Sequence, residues 1–210
     1  MMRERHKMKT LLKSVVIVAG LAMASGVSAA GNVEAGKNSS AMCAACHGAE
    51  GNSAVPNFPK LAGQGEKYLL KQMQDVKAGK RVIVEMTGML DAFSDQDLEN
   101  LAAYFAAQTI TPGQAKKDLV EAGEVLYRVG NPAKQVAACT ACHGPSGKGV
   151  DLAVFPALGG QHADYIASQL KKFRSGERAN DGDTRMMRSV AARLSDKEIE
   201  AVASYISGLY

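Results

Sequence analysis

The chain of 210 residues has no tryptophan, five phenylalanines and six tyrosines. Large rings can therefore supply little of its core. Histidine and cysteine are scarce too, four of each, which limits how many metal or nucleophilic sites the chain can support. The apolar run from Val15 to Val27 is too short for an ordinary membrane span. Charge is also in short supply where it would matter. The formal +4 lies wholly in the first 30 residues, and the remaining chain holds twenty basic and twenty acidic side chains. That balance removes the electrostatic case for nucleic-acid binding.

The first 30 residues read as a targeting segment. Arg3, Arg5, Lys7, Lys9 and Lys13 precede the apolar run, which ends in Val27-Ser28-Ala29-Ala30. Basic, apolar and small-residue regions in that order are those of a secretory signal peptide, cut after Ala29 or Ala30. A retained N-terminal anchor is the alternative. Export predicts a periplasmic protein of about 180 residues, enough for one ordinary domain or two small ones. The charges then divide unevenly. Residues 31–113 carry seven basic and nine acidic side chains, and residues 114–210 carry thirteen and eleven. The resulting dipole could orient the protein on a partner.

In an exported chain four cysteines would ordinarily suggest disulfides. Here they fall in two identical settings, Cys43-Ala44-Ala45-Cys46-His47 and Cys139-Thr140-Ala141-Cys142-His143. Cys-x-x-Cys-His is the attachment signature of a c-type haem. Two thiols one helical turn apart add to two vinyl groups of the porphyrin, and the next imidazole lies under the ring to ligate iron. A thioredoxin-like dithiol and half of a zinc site are the competing readings. Two copies that consume every cysteine favour two haem c groups. A large, flat, mostly apolar group would also supply core that so small a domain lacks.

Internal repetition organises the rest of the chain. Phe58-Pro59-Lys60-Leu61-Ala62-Gly63-Gln64 matches Phe155-Pro156-Ala157-Leu158-Gly159-Gly160-Gln161, and Phe93-Ser94-Asp95 matches Leu194-Ser195-Asp196. The growing offset places a four-residue insertion near Ala179 to Asp183. Pro112-Gly113 marks the joint. The expected architecture is all-α, with two tandem helical domains at residues 31–110 and 111–210, each wrapped around one haem. Within each copy the pattern predicts three helices. They cover about Val33 to Cys46, Glu66 to Ala78 and a segment after Ser94 in the first copy. In the second they cover about Ala115 to Val129, Ala163 to Phe173 and a segment after Ser195. The last helix of each copy opens on a capping signal at its serine. Gly48 and Gly144 read as helix stops, and residues 79–92 as a loop.

The second axial position on iron decides the chemistry. His6 leaves with the signal segment, His47 and His143 are the proximal ligands, and His162 aligns with Gly65, so it reads as a surface or helix-start residue. Methionine is the better candidate. Counting back eight residues from Ser94 and from Ser195 gives Met86 and Met187. Met89 and Met186 have no methionine counterpart, Met42 precedes the first cysteine, and Met73 belongs to a helix stripe. A thioether favours ferrous iron and fills the coordination sphere, which suits a relay of electrons.

With these motifs in view, the sequence closely resembles the diheme cytochrome c4 family over essentially its whole mature length. The resemblance implies a periplasmic electron carrier, not an enzyme, with two class I cytochrome c domains about a pseudo-twofold axis and neighbouring haem propionates. Cys43, Cys46, Cys139 and Cys142 would be the thioether sites, His47 and His143 the proximal ligands, and Met86 and Met187 the distal ones. The carbonyls of Pro59 and Pro156 would hold the far nitrogen of each imidazole. Implied partners are a quinol-oxidising cytochrome bc-type complex as donor and a haem-copper oxidase as acceptor. The chain would act as a monomer, with loose membrane association left open. Two other functions compete, a cytochrome subunit of a larger redox enzyme and a diheme peroxidase.

Overall fold

The computed structural model describes residues 31–210; the expected signal peptide, and His6 with it, lies outside the described residues. Helices α1 (Val33–Ser39) and α2 (Ala44–His47) are followed by α3 (Glu66–Lys77) and α4 (Asp95–Ala106). The second copy supplies α5 (Val120–Arg128), α6 (Thr140–His143), α7 (Ala163–Ser175), α8 (Met186–Ala191) and α9 (Asp196–Ser207). No strand forms among the described residues; there are only two isolated bridges, Asn131 with Val136 and Val150 with Phe155.

Each copy builds its own core. In the first, Leu98, Leu101 and Ala102 of α4 are fully buried against Leu69 of α3. In the second, Ile199 and Val202 of α9 meet Leu126 and Tyr127 of α5 and Ile166 of α7. The last helix of each copy is the spine, and its start is fixed locally. Ser94 Oγ accepts from the Asp97 amide while the Asp97 carboxylate accepts from the Ser94 amide, and Ser195 and Glu198 repeat the arrangement. Each such cap contributes about 1 kcal/mol. The first helix crosses the spine closely enough that only glycine fits. A Cβ on Gly36 would lie 1.9 Å from the Asn100 carbonyl oxygen, and one on Gly123 2.3 Å from that of Ala201.

Three helix limits differ from the sequence expectation. The first helix does not run unbroken to Cys46. It ends at Ser39, and Ser40–Cys43 tighten into a 3-10 turn before α2. Ser40 Oγ bonds back to the Lys37 carbonyl, the local competition that makes serine a poor helix-interior residue. In the second copy helix does not begin at Ala115. Residues 113–116 run along α9, where Gly113 N–H donates to Ser207 O and Lys116 N–H to Ser204 Oγ. Just after the insertion the second copy forms a helix the sequence pattern did not predict, α8, where the first copy has only a 3-10 turn at Val84–Met86.

The copies meet through α3 and α7 about a pseudo-twofold axis that the hydrogen bonds trace. Arg81 donates to its own copy's Gln72, at 2.9 Å, and across to Tyr165 and Gln169. Arg178 does the same with Gln169, at 2.8 Å, and with Tyr68 and Gln72. Both guanidiniums are buried, so their amide and hydroxyl partners carry much of the solvation that water would have given. Asn180, in the insertion, adds a bond to Asp75 of the first copy at 2.7 Å.

Candidate haem sites

Both Cys-x-x-Cys-His segments end in a single helical turn, α2 and α6, stopped by Gly48 and Gly144. Both glycines have φ of 78° with ψ near extended, a conformation open essentially to glycine alone. The stop aims the preceding imidazole inward. His47 and His143 are buried, at 9% and 7% exposure, with Phe58 edgewise and Phe155 tilted against them, at 6.3 and 6.4 Å between ring centroids.

Each imidazole is held by one backbone carbonyl. His47 Nδ1 lies 2.8 Å from the Pro59 oxygen, and His143 Nδ1 2.9 Å from that of Pro156. A carbonyl can only accept, so Nδ1 carries the proton and Nε2 keeps its lone pair. Burial lowers the pKa of both imidazoles, and the carbonyl bond only partly opposes this. They are therefore neutral at physiological pH, as iron ligation requires.

The thiols are not paired as disulfides. Burial raises the Cys43 thiol, and pushes that of Cys139 up to about 11. A reactive dithiol needs the reverse, a thiolate stabilised by positive neighbours, so a thioredoxin-like role does not fit. No three His, Cys, Asp or Glu side chains converge as a metal cluster among the described residues, which disfavours the zinc reading. What the residues do fit is haem, with a neutral imidazole of fixed tautomer beside two thiols one turn apart. Cys43, Leu61, Met73, Met86 and Phe93 line the first core half-buried, as apolar cover for a flat ring.

The methionines differ in exposure. Met86 is half-buried and packs on the same cluster as Cys43, while Met89 of the same loop is exposed. Met187 is half-buried in the first turn of α8 and its neighbour Met186 is exposed. Met73 packs on the core, as its helix stripe predicts, and Met42 is exposed. His162 is a helix-start residue. It opens α7, and its Nε2 lies 2.9 Å from both Ser53 Oγ and Ser53 O of the other copy.

Some of the site was not read from sequence. Tyr104 Oη donates to the Ala49 carbonyl at 3.0 Å, pinning the turn after the first histidine from α4. In the second copy the equivalent bond, to Gly144, comes from Tyr127 of α5 at 2.7 Å. No periodicity marks tyrosines that reach the same turn from different helices. The glutamines of the repeated blocks do carry a signal, their repetition. Gln64 Oε1 accepts from the Ala157 amide at 2.7 Å and its Nε2 donates to the Ala157 carbonyl at 2.9 Å. Gln161 makes the same two bonds to Lys60, at 2.9 and 2.8 Å.

A cytochrome c family model matches residues 33–108 and 122–209. The chain is similar to cytochrome c4 of Pseudomonas aeruginosa, 56% identical over 204 residues that cover 97% of this chain and 100% of that protein. The crystal structure of reduced recombinant cytochrome c4 from Pseudomonas stutzeri matches with a TM-score of 0.85 at 58% identity, covering 86% of this chain and 100% of that one. More distant is a thiosulfate dehydrogenase electron acceptor of Stutzerimonas stutzeri, 38% identical over 84% of this chain and 83% of that protein.

Proposed function

The chain belongs to the cytochrome c4 family, a diheme electron carrier with one haem c at each Cys-x-x-Cys-His, and we propose that His47 with Met86 and His143 with Met187 ligate the two irons. Cys43, Cys46, Cys139 and Cys142 form the thioethers, and the domains span residues 31–110 and 111–210. When bound, each haem supplies a reversible one-electron couple. The protein's own residues do the rest. The Pro59 and Pro156 carbonyls hold each proximal imidazole in the tautomer that leaves Nε2 for iron. Met86 and Met187 bring a soft, uncharged donor, Met86 from the apolar edge of the first core, which keeps the potential high and the sixth position closed. The buried arginine network ties one domain to the other.

The observation that carries this reading is the pair of buried imidazoles, each with Nδ1 on a proline carbonyl and each following two cysteines. We further propose that the chain is periplasmic, exported by residues 1–30, and acts as a monomer. It takes electrons from a quinol-oxidising cytochrome bc-type complex and passes them to a haem-copper oxidase. No helix among the described residues is long and apolar enough to cross a membrane. Service to a particular dehydrogenase is the second reading, favoured by the likeness to an electron acceptor of thiosulfate dehydrogenase. Stopped-flow reduction of the oxidised protein separates the two. Rapid reduction by a quinol-oxidising complex and rapid re-oxidation by a terminal oxidase support respiratory transfer. Isolation in a stable heteromer with a dehydrogenase supports the second. Peroxide turnover at enzymatic rates would contradict both.

A further inference from the structure

The peptide that receives each histidine proton is also read by the opposite copy. Pro59 O accepts from His47 Nδ1, and the other end of the same amide, Lys60 N–H, donates to Gln161 Oε1 at 2.9 Å. In the second copy Pro156 O accepts from His143, and Ala157 N–H donates to Gln64 Oε1 at 2.7 Å. No peptide bond among the described residues is cis, so oxygen and hydrogen of each amide point to opposite sides, one to its own histidine and one to the other domain. Each glutamine is pinned by its Nε2, which donates to the next carbonyl. Its Oε1 is anchored a second time by the backbone N–H at the start of its own helix, Gly65 at 2.9 Å and His162 at 3.0 Å. Both glutamines are buried, at 9% and 4% exposure, so water does not compete for these bonds.

We infer that each glutamine tunes the proximal histidine of the opposite domain, Gln161 acting on His47 and Gln64 on His143. The inference rests on the ligand reading above. An amide whose N–H is engaged carries more negative charge on its oxygen, because hydrogen bonds along a chain polarise one another. That oxygen then draws harder on the Nδ1 proton, and the imidazole becomes a more basic ligand, as outer partners of ligating histidines do. A more basic ligand favours ferric iron, so the bond lowers the potential of that haem. The sense is crossed, since a side chain belonging to one domain sets the potential of the haem in the other. Any change in the domain interface therefore reaches both proximal ligands directly. Gln64 and Gln161 are positioning residues in this role, with no contact to iron.

The test is a redox titration of the full, haem-loaded chain, followed by proton NMR so that the two haems and their His Nδ1 protons are resolved. Gln161→Leu is expected to raise the potential at His47, move its Nδ1 proton upfield and leave the haem at His143 in place. Gln64→Leu is expected to give the mirror image. Gln161→Glu keeps an acceptor for Lys60 N–H and guards against loss of folding; its charge is expected to move the His47 haem in the opposite direction. A shift confined to the variant's own domain, an equal shift at both haems, or no shift overturns the inference. High-spin iron in the unaltered protein would instead overturn the ligand reading, before any variant is made.

Discussion

On the histidine side the two copies share most of their contacts. A glycine at φ 78° stops each short helix, a proline carbonyl holds each Nδ1, a phenylalanine lies beside each ring, and a glutamine of the opposite copy grips the next amide. On the methionine side they part. The first copy reaches Met86 through a 3-10 turn that leaves Val82 and Val84 exposed at 73% and 79%. The second reaches Met187 through α8, with Asp181 of the insertion paired to Arg188 at 2.6 Å and nearly covered. Duplicated domains thus kept the part that sets ligand chemistry and let the covering loop diverge. The contrast locates the difference between the haems. On the proposed ligation, the matching histidine settings would give similar starting potentials, and the two methionine loops, one with exposed valines and one with the Asp181–Arg188 pair, would shift them apart and present different faces to partners.

The largest break in that correspondence should come from the methionines themselves. Met86→Ala is expected to open the first haem, lower its potential and leave the haem of Met187 low-spin, as read from visible absorption during a redox titration. Met187→Ala is expected to do the converse. Met89→Ala and Met186→Ala should leave both haems six-coordinate.

Gly36→Ala and Gly123→Ala compare the helix crossings. Each added methyl meets a backbone carbonyl, at 1.9 Å in the first copy and 2.3 Å in the second, and neither carbonyl can swing aside. Overpacking of this kind costs about 3 kcal/mol, with the larger loss expected for Gly36→Ala, measured by denaturant unfolding of the holoprotein.

A smaller effect separates the two capping boxes by pH. Burial alone would raise Glu198, but Lys134, Ser195 and Asn131 hydrogen-bond its carboxylate and hold it down at about 2. Its folded pKa is below the unfolded one, so its stabilisation is present above the ordinary carboxylate range and is lost as pH falls toward 2. The contribution is on the order of 2 kcal/mol after allowance for screening. The matching Asp97 is lowered chiefly by its hydrogen bonds with Ser94, and no lysine is hydrogen-bonded to it as Lys134 is to Glu198. Glu198→Gln should therefore flatten the acid limb of the stability curve of the second domain more than Asp97→Asn flattens that of the first.

Much of this was legible in the sequence because it is local or repeated. Ser94 and Ser195 announce their helices through residues three positions on, and repetition alone distinguished Met187 from Met186 beside it. The family expectation of proline carbonyls on the histidines matches the observed bonds. What escaped the sequence depends on distant partners. The arginine network joins Arg81 to Tyr165, and nothing local to Arg81 distinguishes it from a surface cation. The early end of α1 follows from one hydroxyl turning back on its own helix at Ser40. The late start of α5 follows from Ser204 and Ser207 holding residues 113–116 along α9, a contact across some ninety positions.

The central claim, two His/Met haems in one chain, is tested most directly by proton NMR of the fully reduced protein, where ring current carries the methyl of an iron-bound methionine far upfield. The account predicts two such methyl signals, one lost in Met86→Ala and the other in Met187→Ala. A single signal, none, or two that survive either substitution would contradict it.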